Sequence, residues 1–166
     1  MSNTTASTTD ESKHDPKQGG SITRTVRARR PDRADTESMA SDVHTLVVDD
    51  DPNVCHTVGA MLAARGYLVE EARLPSEALQ LASAGRDFDL LVTDVILPQM
   101  TGLELARRLS AQWPGLRVVY TSGYASGSIM APGAVVAGSA FLTKPFLSSQ
   151  LVQAAETALG VAATAA

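Results

Sequence analysis

Thr45-Leu46-Val47-Val48-Asp49-Asp50-Asp51-Pro52 runs from an apolar stretch of strand length directly into three acids and a proline. Asp51 suits a helix N-cap, because its short carboxylate can accept the first unpaired backbone N–H groups of a helix. Pro52 suits the first helical position, where no N–H is needed. Val54, Val58, Met61 and Leu62 then follow at helical spacing, and Arg65-Gly66 closes the helix. A buried strand, an acidic turn and an amphipathic helix are the opening of a β-α unit.

The same alternation repeats downstream. Tyr67–Ala72 reads as a short strand, and Pro75–Ala84 as a helix with Ala78, Leu79 and Ala82 inward. Asp89-Leu90-Leu91-Val92-Thr93-Asp94 is the next buried strand. Past Pro98, Thr101 and Glu104 make a T-x-x-E capping box, which starts a helix through Leu103, Ala106 and Leu109. Leu116–Ser122 is a fourth strand, and Ala140–Lys144 a fifth. Between them, a helix over roughly Ser126–Ala137 is interrupted by Gly127, Pro132 and Gly133, so a short, broken and mobile helix is expected. A last helix from Ser148 carries Leu151, Val152, Ala155 and Leu159 on one face. Apolar strands alternating with helices imply an α/β fold, a doubly wound five-stranded parallel sheet covered on both faces. Chain order alone leaves the order of strands in the sheet open.

Upstream, residues 1–42 are rich in Ser, Thr, Asp, Arg and Gly and show no apolar period, so a disordered tail is expected. A start at Met39 would remove most of it. That segment carries seven Lys or Arg against seven Asp or Glu, so the net charge of −4 belongs to residues 43–166. A mildly acidic folded part argues against direct nucleic-acid binding. The lone Cys55 excludes an intrachain disulfide and a CxxC metal site. No run approaches the roughly 18 apolar residues of a membrane span, and Arg29-Arg30 is followed by polar residues rather than a signal-like apolar stretch. A cytoplasmic protein without membrane contact is the expectation, with a folded domain over 43–160 and a short C-terminal tail over 161–166.

In an open parallel sheet, ligands bind beyond the carboxyl ends of the strands. Asp49 and Asp50 end the first strand, Asp94 the third, Ser122 the fourth and Lys144 the fifth. Taken singly, each has a structural explanation as cap, loop acid, turn hydroxyl or solvated lysine. Together they gather carboxylates, a hydroxyl and an ammonium at one edge. Clustered carboxylates need a cation, and a hard divalent ion such as Mg²⁺ suits carboxylates plus waters. Such a site also suits phosphoryl transfer, with a carboxylate as nucleophile.

Four segments now carry a resemblance: Leu46–Pro52, Asp94–Leu105, Thr121-Ser122-Gly123-Tyr124 and Phe141-Leu142-Thr143-Lys144-Pro145-Phe146. In this order they resemble the receiver domains of two-component response regulators, and the Ser-Gly-Tyr form is similar to receivers attached to hybrid histidine kinases. The resemblance implies a flavodoxin-like, CheY-like sheet of order 2-1-3-4-5. It implies Asp94 as phosphoacceptor and Asp50 as direct Mg²⁺ ligand with Asp94 and the Ile96 carbonyl, Asp49 acting through water. It implies Lys144 as the phosphate-binding lysine ahead of a cis bond to Pro145, and Ser122 with Phe141 as a switch pair. Ile96 and Tyr124 would flank the path of a hydrolytic water and lengthen the phosphorylated state. The implied partners are a histidine kinase or histidine phosphotransfer protein upstream and another protein downstream. A stand-alone signalling module with intrinsic phosphotransfer and autodephosphorylation, not a classical enzyme, is the expectation.

Two other readings compete. Asp49-Asp50-Asp51 also meets the D-x-D opening of haloacid-dehalogenase-like phosphatases, with Asp49 as nucleophile and Asp51 as acid, but a cap domain and a later acidic pair are missing. A scaffold that never uses phosphate would leave the full phosphorylation set without purpose.

Overall fold

The computed structural model describes residues 42–123 and 135–161. Its strands are β1 (His44–Val48), β2 (Leu68–Ala72), β3 (Leu90–Asp94), β4 (Arg117–Ser122) and β5 (Ala140–Thr143), and its helices α1 (Pro52–Ala63), α2 (Pro75–Ser83), α3 (Gly102–Gln112) and α4 (Ser148–Leu159). All strand pairs are parallel, in the order β2-β1-β3-β4-β5. The chain therefore reverses its direction of travel across the sheet between β1 and β3.

Strand alternation splits the core in two. Leu46, Val48, Leu91, Val118 and Tyr120 face α2 and α3, where Ala78, Leu105 and Leu109 meet them. Val47, Leu90, Val92 and Val119 face α1 and α4, where Cys55, Val58, Leu62, Leu151 and Ala155 meet them. Each fully buried leucine contributes roughly 1.5–3 kcal/mol relative to exposure. Because both faces are covered, β1, β3 and β4 read as continuous apolar runs instead of alternating ones.

Helix starts follow the sequence. Asp51 caps α1, its carboxylate accepting from Asn53 N at 2.8 Å and Val54 N at 3.4 Å. Gly160, at φ 74°, ends α4 in the left-handed conformation that glycine adopts without steric cost. The T-x-x-E box at α3 forms by half. Thr101 Oγ1 accepts from Glu104 N at 3.2 Å, but the Glu104 carboxylate turns to Arg107 and Arg108.

The helix expected over Ser126–Ala137 lies mostly outside the described residues, as does Tyr124; Val135–Ala137, its expected end, is irregular. The tails expected over 1–42 and 161–166 also lie outside, apart from Asp42 and Val161. Among the described residues, no helix is long and apolar enough to cross a membrane.

Candidate functional site

The carboxyl edge of the sheet collects the singled-out residues. Val48 pairs with Thr93, so Asp49 and Asp94 leave adjacent strands side by side. Ser122 pairs with Thr143 at the end of β4 and β5, and the Lys144 backbone N–H donates to the Ser122 carbonyl at 2.8 Å. That bond places Lys144 just past β5, before a cis peptide bond to Pro145.

From there the lysine reaches back across the edge. Its Nζ lies 2.6 Å from Asp49 Oδ2 and 2.5 Å from Asp94 Oδ2. The second oxygens are held by backbone: Asp49 Oδ1 accepts from Asp51 N at 3.0 Å, and Asp94 Oδ1 from Ile96 N at 2.8 Å. Asp49 is only 4% exposed, and burial pushes its carboxyl above the ordinary range, against the pull of Lys144. For Lys144, burial opposes the charge, but the hydrogen bonds and charges of Asp49 and Asp94 outweigh it and hold its pKa above the usual value.

Other residues sit around this trio. Asp50 is exposed on the loop before α1, and Ile96, 55% exposed, stands at the rim beyond Asp94. Ser122 is buried at the end of β4. Phe141 is half-buried on β5, its ring stacked on Tyr120 with centroids 4.9 Å apart and planes 26° from parallel. Asp51 spends its carboxylate on the α1 cap, accepting from Asn53 N and Val54 N, which leaves it unplaced for the acid role of a D-x-D phosphatase.

The resemblance implied metal roles for Asp49 and Asp50 and no pairing of Asp49 with Lys144. In the structure Asp49 is a direct partner of Lys144, and Asp50 lies outside the trio. Strand alternation carried that signal: Thr45, Val47 and Asp49 follow one face, and so do Leu90, Val92 and Asp94.

Two adjacent carboxylates answered by one ammonium carry a net negative charge, which favours a further cation. Asp49, Asp50, Asp94 and the Ile96 carbonyl are hard oxygen donors of the kind Mg²⁺ takes, so the donor chemistry fits that ion. Among the described residues, no group of three or more His, Cys, Asp or Glu side chains is already arranged around a metal position.

A family model described as the response regulator receiver domain matches residues 45–156. The chain belongs to the response regulator receiver domain family. Relatives include the sensor kinase CckA of Brucella abortus (strain 2308), 33% identical over 68% of this chain and 12% of that protein. The chain spans between 12% and 47% of the length of curated relatives it matches. Among solved structures, the response regulator receiver protein of Sinorhizobium medicae WSM419 is 30% identical, with a TM-score of 0.65, over 71% of this chain and 94% of that one. A response regulator protein from Burkholderia pseudomallei, solved with a phosphorylated aspartic acid, calcium ion and citrate, is 29% identical, with a TM-score of 0.59, over 72% of this chain and 69% of that one. The receiver fold of order 2-1-3-4-5 is thus shared, and phosphorylation-dependent signalling is general in this family.

Proposed function

We propose that this receiver domain takes a phosphoryl group on Asp94 from the phosphohistidine of a histidine kinase or histidine phosphotransfer protein, and passes the change to a partner protein. The observation that carries this reading is the grip of Lys144 Nζ on Asp94 and Asp49, 2.5 and 2.6 Å away, at the carboxyl edge of the sheet.

In the transfer, an Asp94 carboxylate oxygen forms the new P–O bond as the P–N bond breaks. The histidine nitrogen keeps the bonding pair and takes a proton from solvent. Lys144 exchanges its bond to Asp94 for one to a phosphoryl oxygen, which keeps the ammonium paired throughout. Asp50, Asp94 and the Ile96 carbonyl are suited to hold Mg²⁺, with Asp49 acting through water, and the bound ion would neutralise charge on the transferring oxygens. Support for an acceptor aspartate comes from the Burkholderia relative, whose structure holds a phosphorylated aspartic acid and a calcium ion.

The product carries about −1.5 to −2 charges in place of the single negative charge of the free carboxylate. Ser122 is the nearby hydroxyl that can turn to a phosphoryl oxygen, and Phe141 is the half-buried ring on the neighbouring strand whose setting such a turn would change. Ser122 and Phe141 are therefore the proposed switch, read by the downstream partner.

Transfer from a radiolabelled phosphohistidine donor, in Mg²⁺, tests the assignment. The wild-type chain is expected to take label, and Asp94→Ala to take none. Label on Asp94→Ala at the wild-type level would overturn it.

A further inference from the structure

Thr93 stands one residue ahead of Asp94 in β3, so its side chain lies on the opposite face of the sheet from the acceptor carboxylate. It is completely buried, among residues that face α2 and α3. A valine would fill such a strand position as well, and burying a hydroxyl carries a cost unless the hydroxyl is bonded. Here it is: Thr93 Oγ1 donates to the carbonyl oxygen of Asp94 itself, at 3.1 Å.

That carbonyl is confined from a second side. Gly102, the first residue of α3, presses so closely that a Cβ on it would lie 1.9 Å from the Asp94 carbonyl oxygen and 2.9 Å from Thr93 Oγ1. On the other side of the same peptide, Val95 N–H donates to the Thr121 carbonyl of β4 at 2.9 Å. Gly102 N–H in turn donates to the Val95 carbonyl at 2.9 Å. The peptide that follows the acceptor is therefore gripped from β3, β4 and α3 together, while its carboxylate is steered by Ile96 N–H and Lys144.

We propose that Thr93 is a positioning residue for Asp94: its hydroxyl, with the bare Cα of Gly102, sets the Asp94–Val95 peptide plane and so the direction in which the carboxylate is offered. Thr93 touches no substrate; it acts through the backbone of the residue that does. This inference rests on the reading of Asp94 as phosphoacceptor. Misplacement by about an ångström of a reacting group can cost on the order of a hundredfold in rate, so a partial relaxation of this clamp is expected to cost about five- to tenfold.

The test uses the full chain, acetyl phosphate as donor and Mg²⁺, with wild type, Thr93→Val, Thr93→Ser and Asp94→Ala side by side. Thr93→Val keeps shape and strand preference but loses the donor. Its maximal phosphorylation rate is expected to fall about five- to tenfold while the donor concentration giving half that rate stays put, and Thr93→Ser is expected to return the rate to within about twofold of wild type. Thr93→Ala gives the same readout if valine disturbs β3. A merely structural threonine would lower the unfolding midpoint and leave the rate of the folded protein alone. Wild-type kinetics in folded Thr93→Val, or failure of Thr93→Ser to rescue, overturns the proposal. Absence of Asp94-dependent label in the wild type overturns the acceptor reading, and this inference with it.

Discussion

At the carboxyl edge of the sheet, one ammonium answers two carboxylates, and the bonds are unequal in what their loss would leave behind. Lys144→Met strands Asp49 and Asp94 beside each other, both largely removed from water and with no counter-charge. Removing one partner of a buried pair costs about 3–5 kcal/mol, and the lysine is 22% exposed, so about 2–3 kcal/mol is expected. Asp94→Asn removes the surplus negative charge and keeps the Lys144–Asp49 pair, so its stability is expected within about 1 kcal/mol of wild type. Urea unfolding at pH 7 in the presence of a chelator measures both. Equal losses from the two substitutions would mean that the charge balance of the trio is not what holds it together.

At the scale of single elements, α3 shows how a start signal divides. Thr101 caps the helix as its sequence predicts, but Glu104 does not return to the cap. Its carboxylate is taken by Arg107 at 2.9 Å and Arg108 at 2.8 Å, one turn along. Those two hydrogen bonds, Arg107 first, hold the Glu104 carboxyl down to about 2, below its ordinary value of 4.5. A lowered carboxyl stabilises the fold above the unfolded pKa. The contribution therefore declines as pH falls from about 4.5 and is gone below about 2. NMR titration of the Glu104 carboxyl is expected to show a midpoint near 2, rising with added salt and moving towards 4.5 in the Arg107→Gln, Arg108→Gln double variant. An unmoved midpoint in that variant would assign the shift to the helix N-terminus instead. The Thr101 cap was legible because it is written in local spacing, and so were all five strands and the four described helices, to within a residue or two. The competition of Arg107 and Arg108 for Glu104 was not, because rotamer choice among equivalent surface partners leaves no mark on spacing. The same holds at the site. Asp94, Lys144 and Ser122 were readable from their places at strand ends, whereas the direct bond of Lys144 to Asp49 depends on which face each strand end presents. The clamp of Thr93 and Gly102 on the Asp94 carbonyl is a matter of sub-ångström approach.

Across the whole folded unit, the two cores lie on opposite faces of one sheet and share β1, β3 and β4 between them. A single tryptophan and a single cysteine happen to report on the two sides. Trp113, at the end of α3, packs edge-on against Phe88 with ring centroids 5.5 Å apart and belongs to the α2–α3 side. Cys55, on α1, belongs to the α1–α4 side and is 1% exposed. Burial, and then the charge of Glu71, pushes its thiol up to about 11. At pH 8 the folded protein thus presents about a hundredfold less thiolate than an ordinary cysteine, and reagent reaches the sulfur chiefly when the α1 side opens. Shared strands mean that neither core can lose its packing while the other keeps a complete wall, so the described unit is expected to unfold as one. Trp113 fluorescence and Cys55 reactivity in a urea series are then expected to share one midpoint. Leu105→Ala on one face and Leu151→Ala on the other each remove a fully buried side chain and are expected to lower both probes together, by about 2–5 kcal/mol. If Leu151→Ala shifts the cysteine transition and leaves the tryptophan transition in place, the two faces unfold independently. A signal generated at Asp94 would then lack the rigid sheet through which one face could inform the other.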